Sequence, residues 1–240
     1  MKSGRCEVIA ALDVESGSRA MELVEELGGL IEYFKVGSRL FTSEGPSLIE
    51  AIRKKNGRVF LDLKFHDIPA TVAGSVRAAC RLGVNMMTLH TTGGFEMMRE
   101  AARTAAEVSA DLGIERPTLV GVTVLTSMEE RDLEVISPVK YNIGDIVMRL
   151  SSRAKEAGLD GIVCSVLEAG NIREKFPEDF VIVTPGIRPA GSGIDDQKRV
   201  ATPTRAAEAG SDYLVIGRPL YQADRPAEAA SGILEELEVL

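Results

Sequence analysis

The sequence predicts an α/β fold: a single (β/α)8 TIM barrel that occupies residues 1–240 as one catalytic domain. Eight short runs rich in β-branched residues alternate with longer amphipathic stretches, and the length of 240 residues fits a barrel of ~250 residues. A doubly wound open sheet is the competing architecture. The even spacing of the strands, and the absence of a Gly-x-Gly-x-x-Gly turn after the first strand, favour the barrel.

The strands and helices follow one another along the whole chain without a linker or a low-complexity stretch. The predicted strands are Glu7–Asp13, Tyr33–Gly37, Arg58–Lys64, Met86–His90, Thr118–Thr126, Gly161–Ser165, Phe180–Gly186 and Tyr213–Gly217. Helical patterns between them include Ser18–Leu27, Pro46–Lys55, Thr71–Leu82, Phe95–Leu112 and Ile143–Ala157. Helices are expected to stop at glycines, which favour helix C-termini: Gly57, Gly83, Gly113, Gly158 and Gly210. The least regular segment, Glu129–Tyr141, is expected to cross the barrel mouth.

Composition and charge exclude several classes of protein. A formal net charge of −8 argues against nucleic-acid and membrane-surface partners, since both are polyanionic. No apolar run approaches the ~18–20 residues of a membrane span, and the N-terminus offers no signal-peptide core. Cys6, Cys80 and Cys164 are odd in number and lie in apolar contexts, which predicts free thiols in a reducing cytoplasm. With only His66 and His90 present, a histidine-rich zinc site is not expected.

The strongest chemical signal is a cluster of charges at the end of the third strand. Positions 59, 61 and 63 are apolar, so Asp62 and Lys64 share the opposite face of an alternating strand, and Asp67 follows just before Pro69 opens a helix. Charges this close perturb one another's ionisation, as proton transfer and electrostatic catalysis require. A solvated salt bridge at a strand terminus is the simpler alternative, but it leaves the inward direction of both charges unexplained.

In a barrel, the chemistry lies at the carboxyl ends of the strands. Those ends carry Asp13, Lys35, Asp62 with Lys64, His90, Thr126 with Ser127, Ser165, Arg188 and Arg218. Lys35 is expected to point inward because its neighbours Phe34 and Val36 face the helices. The prediction is a ring of alternating lysines and aspartates, which mutual pairing keeps ionised. A purely structural ionic plug is the alternative, since such networks also perturb pKa values.

The last two strands indicate a phosphate site. Arg188 follows the seventh strand in Thr-Pro-Gly-Ile-Arg, and Arg218 follows the eighth in Ile-Gly-Arg-Pro. Loops after strands seven and eight usually bind phosphate in this architecture, and arginine's planar fork suits a phosphate dianion. The glycine-bearing loop from 189 to 196 is a candidate lid. His90 and Cys164 are expected to be packed residues, and His66 a hydrogen-bonding support.

Taken together, these segments resemble the orotidine 5′-phosphate decarboxylase family over nearly the whole chain. The matching motifs are Ala11-Leu-Asp13, Phe34-Lys-Val-Gly37, Leu61-Asp-Leu-Lys-Phe-His-Asp-Ile-Pro69, Leu125-Thr-Ser127, Thr184-Pro-Gly-Ile-Arg188, Asp196-Gln197 and Val215-Ile-Gly-Arg218. The third is highly specific. The resemblance implies a homodimer of barrels that converts orotidine 5′-phosphate to uridine 5′-phosphate and CO2, the last step of de novo UMP synthesis, without metal or organic cofactor.

The resemblance also implies a role for each matching residue. Lys64 would donate the proton to pyrimidine C6, Asp62 would face the substrate carboxylate, and Asp67 of the partner subunit would complete the charged array with Lys35. The implied substrate-binding positions are Asp13, Lys35, Asp62, Ile68, Thr71, Thr126, Ser127, Arg188, Gln197, Gly217 and Arg218. Among these, Asp13 and Lys35 would bind the ribose together with the partner's Thr71. The segment Glu129–Tyr141 resembles the family least.

Two other functions share parts of this pattern. Barrels similar to 3-keto-L-gulonate 6-phosphate decarboxylase and hexulose-phosphate synthase carry the same Asp-x-Lys-x-x-Asp run but hold magnesium with a carboxylate at the position of Lys35. A lysine there repels a metal ion, which argues against them. A non-catalytic barrel that binds sugar phosphates would keep Arg188 and Arg218 but has no need of Lys64 with three carboxylates.

Overall fold

Eight parallel strands close into a barrel in the order in which they occur in the sequence. The computed structural model describes residues 6–134, 142–176, 179–189 and 201–238. Its strands are β1 Glu7–Ala11, β2 Tyr33–Gly37, β3 Arg58–Phe65, β4 Met86–His90, β5 Thr118–Val122, β6 Gly161–Val163, β7 Val181–Thr184 and β8 Tyr213–Ile216. Closure brings β1 beside β8, with Ile9 opposite Val215. The predicted (β/α)8 barrel is confirmed.

Helices follow the strands and cover the outside of the barrel. They are α1 Gly17–Leu27, α2 Ser38–Glu44, α3 Pro46–Lys54, α4 Pro69–Leu82, α5 Phe95–Leu112, α6 Glu130–Glu134, α7 Ile143–Glu156, α8 Val166–Lys175, α9 Pro203–Glu208, α10 Arg218–Tyr221 and α11 Pro226–Glu238, with a 3-10 turn at Thr91–Gly93. The five helices named from the sequence are present, each within two residues of its predicted ends. None of the helices in the described ranges is long and apolar enough to span a membrane.

The alternation of side chains along the strands separates two apolar cores. Ile9, Tyr33, Phe60, Met86 and Val183 point into the barrel and fill it. Phe34 and Val36 belong to the larger core between the strands and the helices, so Lys35 between them points inward as predicted. The interior of the barrel is therefore filled with hydrophobic side chains, and polar side chains line its opening at the carboxyl ends of the strands.

Most strands end earlier than the sequence indicates. Asp13, Thr126 and Ser165 were expected to end the strands β1, β5 and β6, but they lie two to four residues beyond the last residue of each strand. Leu12 still donates its backbone N–H to the Lys35 carbonyl at 3.0 Å, so hydrogen bonding between β1 and β2 continues one residue beyond β1. These three residues consequently lie on the loops that leave the barrel, whereas Lys35, Asp62 and Lys64 lie within β2 and β3.

Glycines end several helices, with one exception. Gly83 and Gly113 adopt the left-handed conformation at the ends of α4 and α5. After α3, however, Asn56 takes the left-handed position with φ 62°, and the following Gly57 donates to the Ile52 carbonyl at 3.1 Å. A Cβ at position 57 would lie 2.7 Å from Cγ2 of Ile52. Gly57 is thus required for close packing and not for its conformational freedom.

None of the three cysteines, all of which lie in the described ranges, forms a disulfide, as predicted. Cys80 and Cys164 are buried, and Cys6 is half-buried. Burial, reinforced by Asp212 and Glu7, raises the pKa of the Cys6 thiol to about 12, and burial also raises the pKa of Cys80. Both thiols are therefore protonated and poorly reactive at neutral pH.

Candidate active site

A cavity of about 410 Å3 opens at the carboxyl ends of the strands. Its floor is apolar and includes Ala11, Phe60 and Val215 from the inner core. Eight of the residues predicted for the site line it: Asp13, Lys35, Asp62, Lys64, Thr126, Arg188, Gly217 and Arg218. Side chains that are far apart in the sequence therefore meet in one concave site, which has the size of a small-molecule pocket.

Four charged groups form an alternating chain along one wall. The Lys35 ammonium lies between two carboxylates, 3.2 Å from Oδ1 of Asp13 and 3.4 Å from Oδ2 of Asp62. The Lys64 ammonium lies 2.8 Å from Oδ1 of Asp62. The side chains of Lys35 and Asp62 are 10% and 11% exposed, whereas that of Lys64 is 37% exposed. The inner pair is thus withdrawn from water, and Lys64 extends into the cavity.

Mutual pairing determines the ionisation of the inner groups. Burial alone would raise the pKa of Asp62, but Lys35 and then Lys64 outweigh it and hold that pKa below its usual value. Burial alone would lower the pKa of Lys35, but Asp62 and Asp13 outweigh it and raise that pKa. At neutral pH both groups are therefore charged, because their mutual pairing outweighs the cost of burial.

The end of β3 is not the regular strand that the sequence suggests. Between its pairs with β4, Leu61 with Met87 and Phe65 with Leu89, β3 advances four residues while β4 advances two. Lys64 lies in this bulge with a left-handed φ of 52°, which is uncommon for a residue with a side chain. The bulge still directs both Asp62 and Lys64 into the cavity, as predicted.

Two arginines lie at the other side of the cavity. The backbone N–H of Arg188 donates to the Ala201 carbonyl at 2.9 Å, and its Nη1 donates to the Ile187 carbonyl at 2.9 Å. Arg218 begins α10 directly after β8. The turn before Arg188 needs Gly186, whose φ is 80°. Both cationic side chains thus line the same cavity as the charged array.

Other predicted site residues do not line this cavity within the described part of the chain. Asp67, Ile68, Thr71 and Ser127 are exposed, and Ile68 keeps 66% of its surface exposed. They lie on the loops and the helix beyond β3 and β5, at the carboxyl-end rim of the barrel. Gln197, the proposed lid from residue 190 onward, and residues 135–141 of the segment expected over the mouth lie outside the described residues.

The remaining polar strand ends have local structural roles. Ser165 is the N-cap of α8, where its hydroxyl accepts from the Leu167 backbone N–H at 3.2 Å. The rings of His66 and His90 lie 5.3 Å apart between centroids. Burial, and then His66 and Lys64, hold the pKa of His90 below its usual range, so it is neutral at physiological pH.

The structure adds residues that the sequence analysis missed. Thr88 of β4 donates to Oδ1 of Asp62 at 2.9 Å and accepts from the Lys64 backbone N–H at 2.8 Å. Tyr221, three residues after Arg218, lines the cavity, and so does the buried Cys164, which was expected only to be packed. Thr88 follows the inward Met86 by two positions, so strand alternation could have identified it. The spacing of Tyr221 from Arg218 is one helical turn.

Comparison with known proteins points to one family. A family model described as "Orotidine 5′-phosphate decarboxylase / HUMPS family" matches residues 7–233. The orotidine 5′-phosphate decarboxylase of Syntrophotalea carbinolica is 48% identical over 233 residues, which cover 97% of this chain and 95% of the relative. That of Trichlorobacter lovleyi is 46% identical over 231 residues, covering 96% and 95%. A crystal structure of orotidine 5′-phosphate decarboxylase from Lactobacillus acidophilus has a TM-score of 0.85 and 34% identity, covering 97% of this chain and 99% of that one.

Proposed function

We propose that this chain, which belongs to the orotidine 5′-phosphate decarboxylase / HUMPS family, converts orotidine 5′-phosphate to uridine 5′-phosphate and CO2 in pyrimidine biosynthesis. The observation that carries the proposal is the alternating chain Asp13–Lys35–Asp62–Lys64 on one wall of a cavity that also contains Arg188 and Arg218. The reaction needs a cationic proton donor beside the carbon that loses CO2. It also needs cationic groups that bind the phosphate at the other end of the substrate.

The chemistry explains why a fixed ammonium is needed. Loss of CO2 from pyrimidine C6 leaves an electron pair in the plane of the ring, where delocalisation is poor, so the protein must stabilise it. Lys64 supplies both the opposite charge and the proton that forms the new C6–H bond. Its ammonium is 2.8 Å from Asp62, so the lysine is held in place before the substrate arrives.

Asp62 has a second proposed effect, on the substrate carboxylate. A carboxylate that stays ionised because Lys35 and Lys64 surround it repels a second carboxylate placed against it. That repulsion is relieved as neutral CO2 departs, which favours the transition state over the bound substrate.

Phosphate binding supplies the remaining energy in this proposal. Rate enhancements at the upper end of the enzymatic range require about 20 kcal/mol or more of transition-state stabilisation, which exceeds any single contact. Arg188, Gly217 and Arg218 are proposed to bind the phosphate, with Gln197 added from the family resemblance. Binding of this distant group would hold the pyrimidine against the charged wall, near Thr126 and Ser127.

We also propose that the active form is a homodimer with shared sites. Asp67, Ile68 and Thr71 are exposed at the rim of their own barrel, and the resemblance assigns them to the site of the neighbouring subunit. In such a dimer the partner surface would cover Ile68, which is 66% exposed in the single chain. We also propose a location in the cytoplasm, which rests on three cysteines that form no disulfide.

Lys35 favours this activity over the magnesium-dependent chemistry considered above. Its ammonium occupies the space between Asp13 and Asp62, where a divalent cation would otherwise find two carboxylates. The proposal assigns no role to a metal.

The test is a decarboxylation assay with orotidine 5′-phosphate in the presence of EDTA, followed by ultraviolet absorbance. Turnover that is unchanged by the chelator is the expected result. No turnover at all would refute the proposed activity, and loss in EDTA with recovery on addition of magnesium would refute its independence of metal.

A further inference from the structure

One residue that contacts the charged array, Thr88, lies on β4, and β4 contributes none of the charged groups of that array. Thr88 lies on β4 between Met87 and Leu89, the two residues that pair with β3 on either side of its bulge. It is therefore opposite the bulged residues of β3, where the regular ladder between the two strands is interrupted. Its side chain is directed at that gap, and the residue is 1% exposed.

The hydroxyl of Thr88 makes two hydrogen bonds of opposite sense. It accepts from the backbone N–H of Lys64 at 2.8 Å and lies 2.9 Å from Oδ1 of Asp62. Because Asp62 is ionised at neutral pH, the hydroxyl must be the donor in the second bond. A single buried oxygen thus connects the backbone of one charged residue to the carboxylate of the other.

Each of these two hydrogen bonds holds one group of the charged array in its observed position: the Lys64 backbone or the Asp62 carboxylate. Lys64 has a left-handed φ of 52°, a conformation that a side-chain-bearing residue keeps only when its surroundings hold it. The Asp62 carboxylate faces two lysines, with Oδ2 3.4 Å from the Lys35 ammonium, and the Thr88 hydroxyl donates to Oδ1, the oxygen that accepts from the Lys64 ammonium at 2.8 Å.

We propose that Thr88 is a positioning residue for the decarboxylation: its hydroxyl fixes the Lys64 backbone in the bulge and orients the Asp62 carboxylate, so that the Lys64 ammonium is aimed into the cavity. The role of Thr88 in decarboxylation rests on the proposed function, whereas its effect on the positions of Lys64 and Asp62 does not. It predicts a defect in turnover with little change in substrate binding, because Thr88 does not line the cavity among the described residues.

The experiment compares three variants. Thr88→Val keeps the shape but removes the hydroxyl, and Thr88→Ser keeps the hydroxyl. Thr91→Val is the matched control, because Thr91 is also buried (2% exposed) and its hydroxyl donates to the Val122 backbone carbonyl at 2.9 Å and not to a charged group. The Tm values of the three variants show how much of any loss of kcat comes from a loss of stability.

Thr88→Val should lower kcat about 10- to 100-fold, with KM changed less than about threefold. That fold-change corresponds to the usual free energy of a hydrogen bond to a charged group, lost here from the transition state. Thr88→Ser should recover most of kcat, and Thr91→Val should stay within about twofold of the wild type. If Thr88→Val and Thr91→Val have equal kcat values, or if serine is as impaired as valine, the positioning role is wrong. Thr88→Ala replaces Thr88→Val if the latter does not fold.

A second readout does not depend on activity. Carbon-13 NMR of the aspartate carboxyl groups, with Asp62→Asn for assignment, should show a higher pKa for Asp62 in Thr88→Val than in the wild type. Hydrogen exchange of the Lys64 amide should also be faster. If the wild type does not act on orotidine 5′-phosphate but these shifts occur, the proposed function fails and the positioning inference stands. Unchanged NMR and exchange in an active protein would overturn the inference alone.

Discussion

Removal of the Lys35 ammonium should destabilise the protein far more than removal of a surface charge. Lys35 and Asp62 are 10% and 11% exposed, and their charged atoms are 3.4 Å apart. At an effective dielectric constant of about 20, two unit charges at 3.4 Å attract by about 5 kcal/mol, against about 1 kcal/mol in water. Lys35→Met keeps the apolar stem of the side chain but leaves Asp62 buried with Lys64 as its remaining ammonium partner.

The expected cost is about 3–5 kcal/mol in the free energy of unfolding at pH 8, the usual range for a buried pair that loses one partner. The measurement is urea unfolding at a fixed protein concentration, since association shifts the apparent stability. Arg39→Met is the control. Arg39 pairs with Glu15 at 2.8 Å, but the two side chains are 65% and 88% exposed, so its loss should cost at most about 1 kcal/mol.

The pH dependence follows from the sign of each pKa shift. The depressed pKa of Asp62 stabilises the wild type above the ordinary value of 3.8, and this contribution is lost as pH falls through the folded pKa. The raised pKa of Lys35 stabilises the fold below the ordinary value of 10.5 and ceases to do so as pH rises through the folded pKa. In Lys35→Met, Asp62 takes up its proton at a higher pH than in the wild type. The stability difference between the two proteins should therefore narrow as pH falls from 8 toward 4.

A double variant identifies the source of the loss. Lys35→Met combined with Asp62→Asn removes the buried carboxylate and should recover about half of the lost stability or more, because the buried charge that lost Lys35 is gone. The reasoning is refuted if Lys35→Met costs no more than Arg39→Met. It is also refuted if the double variant is less stable than Lys35→Met, or if the difference from the wild type does not change with pH.

Three further predictions concern catalysis. Lys64→Ala should fold but lose turnover by several orders of magnitude, since both the donor and its charge disappear; activity above about a tenth of the wild type would contradict the role of general acid. Arg218→Ala should lower kcat/KM mainly through KM, and should cost little more when the substrate lacks its phosphate; an equal loss with both substrates would place Arg218 elsewhere. Mixing inactive Lys64→Ala with inactive Asp67→Ala should restore activity in up to about half of the heterodimer's sites, by two-fold symmetry. Verified subunit exchange without recovery would show that Asp67 acts within its own chain.

Patterns within single segments were sufficient to predict the barrel and many of the residues that line the candidate site. Strand alternation placed Lys35 and Asp62 inside the barrel, and the position of polar residues after each strand indicated which of them would line the cavity. Such patterns are determined by the backbone, because successive side chains of a strand must point to opposite faces. Glycines also predicted helix ends, at Gly83 and Gly113, because glycine adopts the left-handed conformation more readily than other residues.

The sequence by itself determined the order of the strands and which residue types stand at their ends, whereas only the tertiary structure decided how those residues meet. The bulge in β3, the left-handed Lys64 and the hydroxyl of Thr88 opposite it depend on the register between two strands about 25 residues apart. No local pattern encodes that register, because it depends on the packing of all eight strands around one core. Closure of the barrel likewise brought the loop after β8 to the Asp13 side chain, where a Cβ at Gly217 would lie 3.8 Å from Oδ2 of Asp13.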